Sequence, residues 1–258
     1  MPQCNSPRTV TAGTGERSWA VRALGLCVLI ACARADGDPR PTVEGPLVIE
    51  LFTSQGCSSC PPADRLLSKL AAAGSLGDRA LAPLSFHVDY WNELGWADPF
   101  SLPAWTERQH MYAQAIGDDR VYTPELVVGG GAGVIGSNLA AVTQAVQRAA
   151  HPALLAATAS WTSDLVTITT TAPRDADVWV AVWEDGTTTR VARGENAGET
   201  LNSDRVVRRL ERVAAAGQKA TLSIKLGPWH AGGAVAFAQR SDRRIVASTL
   251  LPRAAPVR

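Results

Sequence analysis

Cys57 and Cys60 stand two residues apart, behind the apolar run Leu47-Val48-Ile49-Glu50-Leu51-Phe52 and ahead of a helix-forming stretch. A pair this close closes too small a loop to stabilise a fold much, so its use is chemical. Two chemistries suit it. One is thiol–disulfide exchange, in which a thiolate attacks a disulfide sulfur and a second thiol resolves the mixed disulfide. The other is soft-metal binding, with Cu(I) the fitting ion and His87 a candidate further ligand. A tetrahedral zinc site would need a second C-x-x-C or C-x-x-H, which the sequence lacks, and no Met precedes the pair as in an M-x-C-x-x-C copper loop.

The flanking elements favour exchange. Leu47–Phe52 reads as a strand buried on both faces, and Thr53–Gly56 as a turn. Cys57-Ser58-Ser59-Cys60 then opens a helix with Ala63, Leu66, Leu67, Leu70 and Ala71 along one stripe and Gly74 at its end. Pro61 and Pro62 fit only the first helical turn, whose N–H groups have no intrahelical partner. A thiol at that end meets free N–H groups and the positive end of the helix dipole, so Cys57 is the expected nucleophile and Cys60 the resolving thiol. Further on come a strand over Leu84–Tyr90, a helix over Pro103–Ile116 capped near Ser101, a strand over Glu125–Val128, a short strand at Val134-Ile135 and a helix over Asn138–Ala150. Thr123-Pro124 stands directly before the Glu125 strand, where a cis proline would aim the preceding backbone at a substrate peptide. This order makes an α/β fold, a thioredoxin-like domain with an inserted helix over residues 47–152.

The texture changes after His151-Pro152. β-branched alternating segments, from Leu165–Thr170 to Arg244–Ser248, predict a β-rich, sandwich-like unit over 154–252, with one short helix near Val206–Ala215. No catalytic constellation is visible there, and a further alternative is a non-catalytic binding protein that keeps the thioredoxin-like shell as a scaffold while the β-rich unit holds a partner.

Other candidates support the pair. Glu50 precedes the site on its strand, where thioredoxin-like proteins keep a buried acid that takes the resolving thiol's proton; the competing role is a strand-end carboxylate facing solvent. His87 and Asp89 share a strand face by period two and either tune the site or hydrogen-bond structurally. Tyr90, Trp91 and Trp96 form an aromatic loop suited to substrate or to core packing. Ser54 and Ser58 have no general-base partner at recognisable spacing, which argues against a hydrolase.

The 258 residues carry a net charge of +1, with 46% hydrophobic and 19% charged residues, which gives no electrostatic case for a nucleic-acid partner. Residues 1–35 hold four arginines against one glutamate, ahead of and around the apolar run Ala23–Ala31. That run is too short to span a membrane and reads as a signal-peptide core, so the chain is expected to be exported to the periplasm or secreted. Ala33-Arg34-Ala35 offers an ordinary cleavage site. Leu29-Ile30-Ala31-Cys32 resembles a lipobox, with cleavage before Cys32 and Cys32 lipidated, the one route to a membrane. Asp36–Pro46, rich in proline, is the expected linker.

Val48–Asp64 with its C-S-S-C-P-P-A-D sequence, Phe86–Trp91, Leu94-Gly95-Trp96, Asp98-Pro99-Phe100, Val121–Pro124, Gly194-Glu195-Asn196-Ala197-Gly198 and Val206-Val207-Arg208 together resemble the bacterial family called domain of unknown function 1223. The resemblance covers about residues 47–250. It implies secreted, thioredoxin-like proteins with redox activity, and no particular substrate. The expected partners are protein or peptide thiols and disulfides and a redox partner protein, and no cofactor is expected.

Overall fold

The computed structural model describes residues 43–118 and 120–253. The expected leader, Cys32 and linker residues 36–42 lie outside them. The first part of the chain forms β1 (Leu47–Thr53), α1 (Pro61–Ala73), β2 (Ser75–Leu76), β3 (Arg79–His87), a 3-10 turn (Asn92–Leu94), α2 (Pro103–Ile116), β4 (Glu125–Val128), β5 (Ala132–Ile135) and α3 (Leu139–Arg148). Strands follow: β6 (Ala153–Leu154), β7 (Ala157–Trp161), β8 (Leu165–Thr171), β9 (Asp177–Glu184), β10 (Thr187–Arg190), β11 (Thr200–Ser203), β12 (Val206–Ala214), β13 (Lys219–Lys225), β14 (Ala231–Gln239) and β15 (Ile245–Pro252).

A mixed sheet runs β5-β4-β1-β3-β12-β9-β14-β15-β6, with β2 paired to β3 alone. β1 and β3 are parallel, with Thr53 registered on His87, and β4 is antiparallel to β1. Every residue of β1 is buried because helices cover both faces of the sheet there. Leu47, Ile49 and Leu51 pack on Ala63, Leu67 and Leu70 of α1 and Val142 and Val146 of α3. Val48 and Phe52 point the other way, to Phe86 and to Trp105 and Tyr112 of α2. Side chains of this size contribute about 1.5–3 kcal/mol each when fully buried.

The helix ends follow local rules. α1 begins on Pro61-Pro62 and stops at Gly74, left-handed at φ 67°. α2 stops at Gly117, φ 81°. Asn138 caps α3, its side chain accepting from Ala141 N.

β9 and β14 alternate cleanly. Val178, Val180, Val182, Ala234, Ala236 and Ala238 face the three-stranded sheet β13-β8-β7 and pack on Val166, Ile168 and Ile224, which gives this part a sandwich character. Ala181, Trp183, Val235 and Phe237 face the core beneath α2. The helix expected near Val206–Ala215 is strand β12. Its register shifts between Val207 and Arg209 and again between Arg212 and Ala214, so two bulges break the period-two pattern and leave a helix-like spacing at Val206, Leu210 and Val213. This strand joins the two parts of the chain: it pairs antiparallel with β9, and Val206 registers on Ser85 of β3. Among the described residues no helix is long and apolar enough to cross a membrane.

Candidate functional site

Cys57 and Cys60 lie at the end of β1 and the start of α1, joined as a disulfide with Cα atoms 5.4 Å apart. The helix starts later than the sequence suggests. Cys60 is its N-cap and Cys57 sits in the preceding turn, with Cys60 N donating to Cys57 O at 3.2 Å. Pro61 and Pro62 remove two N–H groups from the first turn, and Ala63 N and Asp64 N both turn back to Cys60 O. The Thr123–Pro124 bond is cis. Cys57 Sγ lies 4.0 Å from Thr123 O, and Ser59 Oγ lies 3.3 Å from that sulfur and donates to Thr123 O at 3.5 Å. The fold thus brings Cys57, Cys60, Thr123 and Pro124 together.

Both cysteines are 0% exposed, although Ser58 and Ser59 between them are exposed and Thr123 is half-buried. Trp91 and Trp96 form part of the cover. Trp91 donates its indole N–H to Thr123 Oγ1 at 2.8 Å, and Trp96 donates to Gln55 Oε1 at 3.2 Å. A Cβ on Gly56 would come within 3.1 Å of Trp91 Cβ, so any larger residue there would press on the indole. The rest of the cover comes from far along the chain. Asn196 Nδ2 donates to Gln55 O at 2.9 Å and Cys57 O at 3.0 Å, and Glu195 Oε2 accepts from Ser58 N at 2.9 Å.

Glu50 is buried and does not face solvent. It points to the α2 side of the sheet, where Arg108 grips both its oxygens at 2.6 and 2.9 Å and Tyr112 donates a third bond. α1 packs on the opposite face. There the carboxyl is Asp64, in the first turn of α1. Burial pushes its pKa up to about 6, against the opposing pull of His87. His87 and Thr53 are registered neighbours on adjacent strands and share this face. His87 Nδ1 lies 2.7 Å from Asp98 Oδ2, which also accepts from Gln55 N at 2.7 Å. Burial alone would lower the His87 pKa, yet the Asp98 carboxylate carries it upward. Asp98 is held below the ordinary carboxylate range by His87 and by backbone N–H groups, burial notwithstanding. Thr53 Oγ1, Gln55 Nε2, Asp64 Oδ1 and His87 Nε2 are all buried without a hydrogen-bond partner. Such a concentration of unfilled bonding under one helix terminus suits proton handling or trapped water.

Asp89 is separate from this cluster. β3 ends at His87, and Asp89 instead holds Thr106 at the start of α2. Gln109 of α2 anchors the proline loop through Nε2, which donates to Tyr122 O at 2.8 Å and Glu125 Oε2 at 2.7 Å. Among the described residues no group of three or more His, Cys, Asp or Glu side chains is placed to hold a metal ion. Asp64, Asp98, Gln109, Glu195 and Asn196 went unassigned in the sequence reading, although all but Gln109 lie inside the motifs that carried the family resemblance.

The sequence model of a family described as "Protein of unknown function (DUF1223)" matches residues 48–239. No curated protein matches the chain. Among solved structures, protein AGR_C_4864 from Agrobacterium tumefaciens is 28% identical, with 85% of this chain and 99% of that one covered and a TM-score of 0.62. HBP35 of Porphyromonas gingivalis is 14% identical, over 85% of this chain and 80% of that one with a TM-score of 0.57, a likeness of fold alone.

Proposed function

The chain belongs to the DUF1223 family, and on that premise we propose that it is an exported thiol–disulfide oxidoreductase built on a thioredoxin-like unit, acting on protein or peptide thiols through Cys57 and Cys60. The β1-α1-β3 crossover, the β4-β5 hairpin and α3 support the thioredoxin-like reading. The observation that carries the activity is the pair itself, closed as a disulfide beside the Thr123 carbonyl. The arginine-bearing leader and its apolar run support export, with Cys32 the lipid attachment point if the lipobox is used.

In the oxidising direction, a substrate thiolate attacks Cys57 Sγ. A substrate S–S bond forms, the Cys57–Cys60 bond breaks, and its electron pair leaves on Cys60 Sγ, which takes a proton. The substrate's second thiol, giving up its proton, then attacks the substrate sulfur of the mixed disulfide and releases Cys57 as thiolate. The substrate leaves as a disulfide, and the pair holds its two electrons. The reducing direction runs these steps backward. Cys57 is the exchanging sulfur because it lies under the exposed Ser58-Ser59 pair and beside half-buried Thr123, whereas Cys60 backs onto α1. Asp64 and His87, on the α1 side of the sheet, are the groups suited to supply and recover the Cys60 proton, Asp64 titrating near neutrality.

The test mixes oxidised protein with a peptide dithiol and counts thiols on each. Two thiols should appear on the protein for each peptide disulfide made, and Cys57→Ser should abolish the transfer. A pair that gains no thiols from the peptide, while small dithiols reduce it readily, would overturn the proposal.

A further inference from the structure

The turn that carries Cys57 is held by a segment that belongs to neither of the elements flanking the disulfide. Residues 191–199 form the tip of the hairpin made by β10 and β11, which pair only with each other and stand outside the main sheet. Val191 N donates to Glu199 O and Gly198 N to Val191 O, both at 2.9 Å, so the tip is closed at its base as one unit. Glycines flank its working residues, Gly194 at φ 80° and Gly198 at φ 89°. Gly194 lies against Gly95 and Trp96, and a Cβ on it would meet Trp96 Cβ at 3.1 Å, so the tip seats closely on the aromatic loop.

Two side chains tie the tip to the cysteine turn. Asn196, 7% exposed, spends both N–H groups of its amide on the carbonyls of Gln55 and Cys57. Glu195 is exposed, and its carboxylate holds Ser58 N, the amide that follows Cys57. These contacts occupy the ground an incoming chain would need to reach Cys57 from the Ser58 side. They also depend on the oxidation state of the sulfur. A neutral disulfide tolerates a carboxylate at the next amide, whereas a Cys57 thiolate competes for the same N–H groups and repels Glu195.

We propose that the β10–β11 hairpin is a redox-linked cover, closed over the Cys57–Cys60 disulfide through Asn196 and Glu195 and released when the pair is reduced. Coupling of this kind is reciprocal: whatever reduction does to the cover, the cover does to the ease of reduction. The closed hairpin therefore protects the disulfide, and lifting it exposes the sulfur to protein thiols. The inference rests on the exchange function proposed above.

Hydrogen exchange on the wild-type chain tests it without any substitution. The amides of Ser58 and residues 194–198 should exchange about 10-fold faster after dithiothreitol has taken the pair to two thiols and itself become a cyclic disulfide, a factor within the range usual for coupled sites. Equal exchange in the two states would overturn the proposal. Asn196→Ala, which removes two hydrogen bonds from the closed state, should raise the rate at which dithiothreitol reduces the native disulfide by about 10-fold. Glu195→Gln should raise it less and should narrow the difference in exchange between the two states. A wild-type rate in Asn196→Ala would refute the cover while leaving the exchange function standing. Reduction by dithiothreitol with the predicted accelerations, but no transfer to a peptide dithiol, would leave the cover standing and refute the exchange function.

Discussion

Two carboxylates near the cysteine pair, Glu50 and Asp64, lie on opposite faces of the sheet. On the α2 side, Glu50 accepts from Arg108 twice and from Tyr112, whose oxygen also accepts from Gln239. On the α1 side, Asp64 keeps one oxygen partnerless, beside a histidine nitrogen, a hydroxyl and an amide that are equally unpartnered. Glu50 is fully buried and Asp64 is half-buried with one oxygen shut away from solvent, so burial does not identify a working acid. A carboxylate whose oxygens are all engaged serves the fold, whereas an under-bonded one costs stability when ionised and stays ready to accept a proton.

The contrast is broken most directly from its structural side. Arg108→Met leaves buried Glu50 without its ion-pair partner and with only the Tyr112 bond, which should cost about 3–5 kcal/mol in denaturant unfolding. Thiol transfer per folded molecule should not change. A loss below about 1 kcal/mol would mean that the α2-side network is not the rigid support described above.

Asp64→Asn sharpens the same contrast from the other side, with the opposite sign. A carboxyl whose folded pKa is raised from 3.8 to about 6 binds more protons folded than unfolded between those values. Stability therefore falls as pH rises through that window, and the penalty is fully present above pH 6. Removing the carboxyl should raise stability at pH 7 by up to roughly 3 kcal/mol and leave it nearly unchanged at pH 3, read as Tm against pH. The wild-type thiol-transfer rate should show an inflection near pH 6 from Asp64 that vanishes in the same variant. Added stability with lost proton handling is the exchange expected at a working site.

Smaller effects belong to the residues that hold the proline loop. Gln109→Ala leaves Tyr122 O and Glu125 short of a donor and should cost about 1–3 kcal/mol, with a matching rise in hydrogen exchange over residues 121–123. Trp91→Phe keeps a ring over the cysteine turn but deletes the bond to Thr123 Oγ1. It should cost about 1 kcal/mol and leave the exchange of the Val121, Tyr122 and Thr123 amides close to wild type.

Local pattern and distance explain which parts of this arrangement were legible in the sequence. α1 announces itself through the Ala63, Leu67 and Leu70 stripe between Pro61-Pro62 and Gly74, and α2 and α3 are as clear. The proximity of Cys57 to Thr123-Pro124 follows once that order of elements is recognised. β12 was misread because bulges near Arg208 and Val213 erased its alternation, and with it went the link that puts β3 and β9 in one sheet. Glu50 could not be placed from sequence because face, not burial, decides, and its face is known only when Arg108, 58 residues on, meets it. The grip of Asn196 on Cys57 spans 139 residues and leaves no local signature.

The central claim is that Cys57 trades bonds with a substrate sulfur while Cys60 resolves. Cys60→Ser tests it most directly, because the variant retains the attacking sulfur and lacks the group that releases the substrate. With a peptide disulfide as substrate, mass spectrometry should find a mixed disulfide accumulating on Cys57, absent in Cys57→Ser and short-lived in wild type. A folded Cys60→Ser protein that forms no adduct, even when Asn196→Ala loosens the cover, would contradict the account.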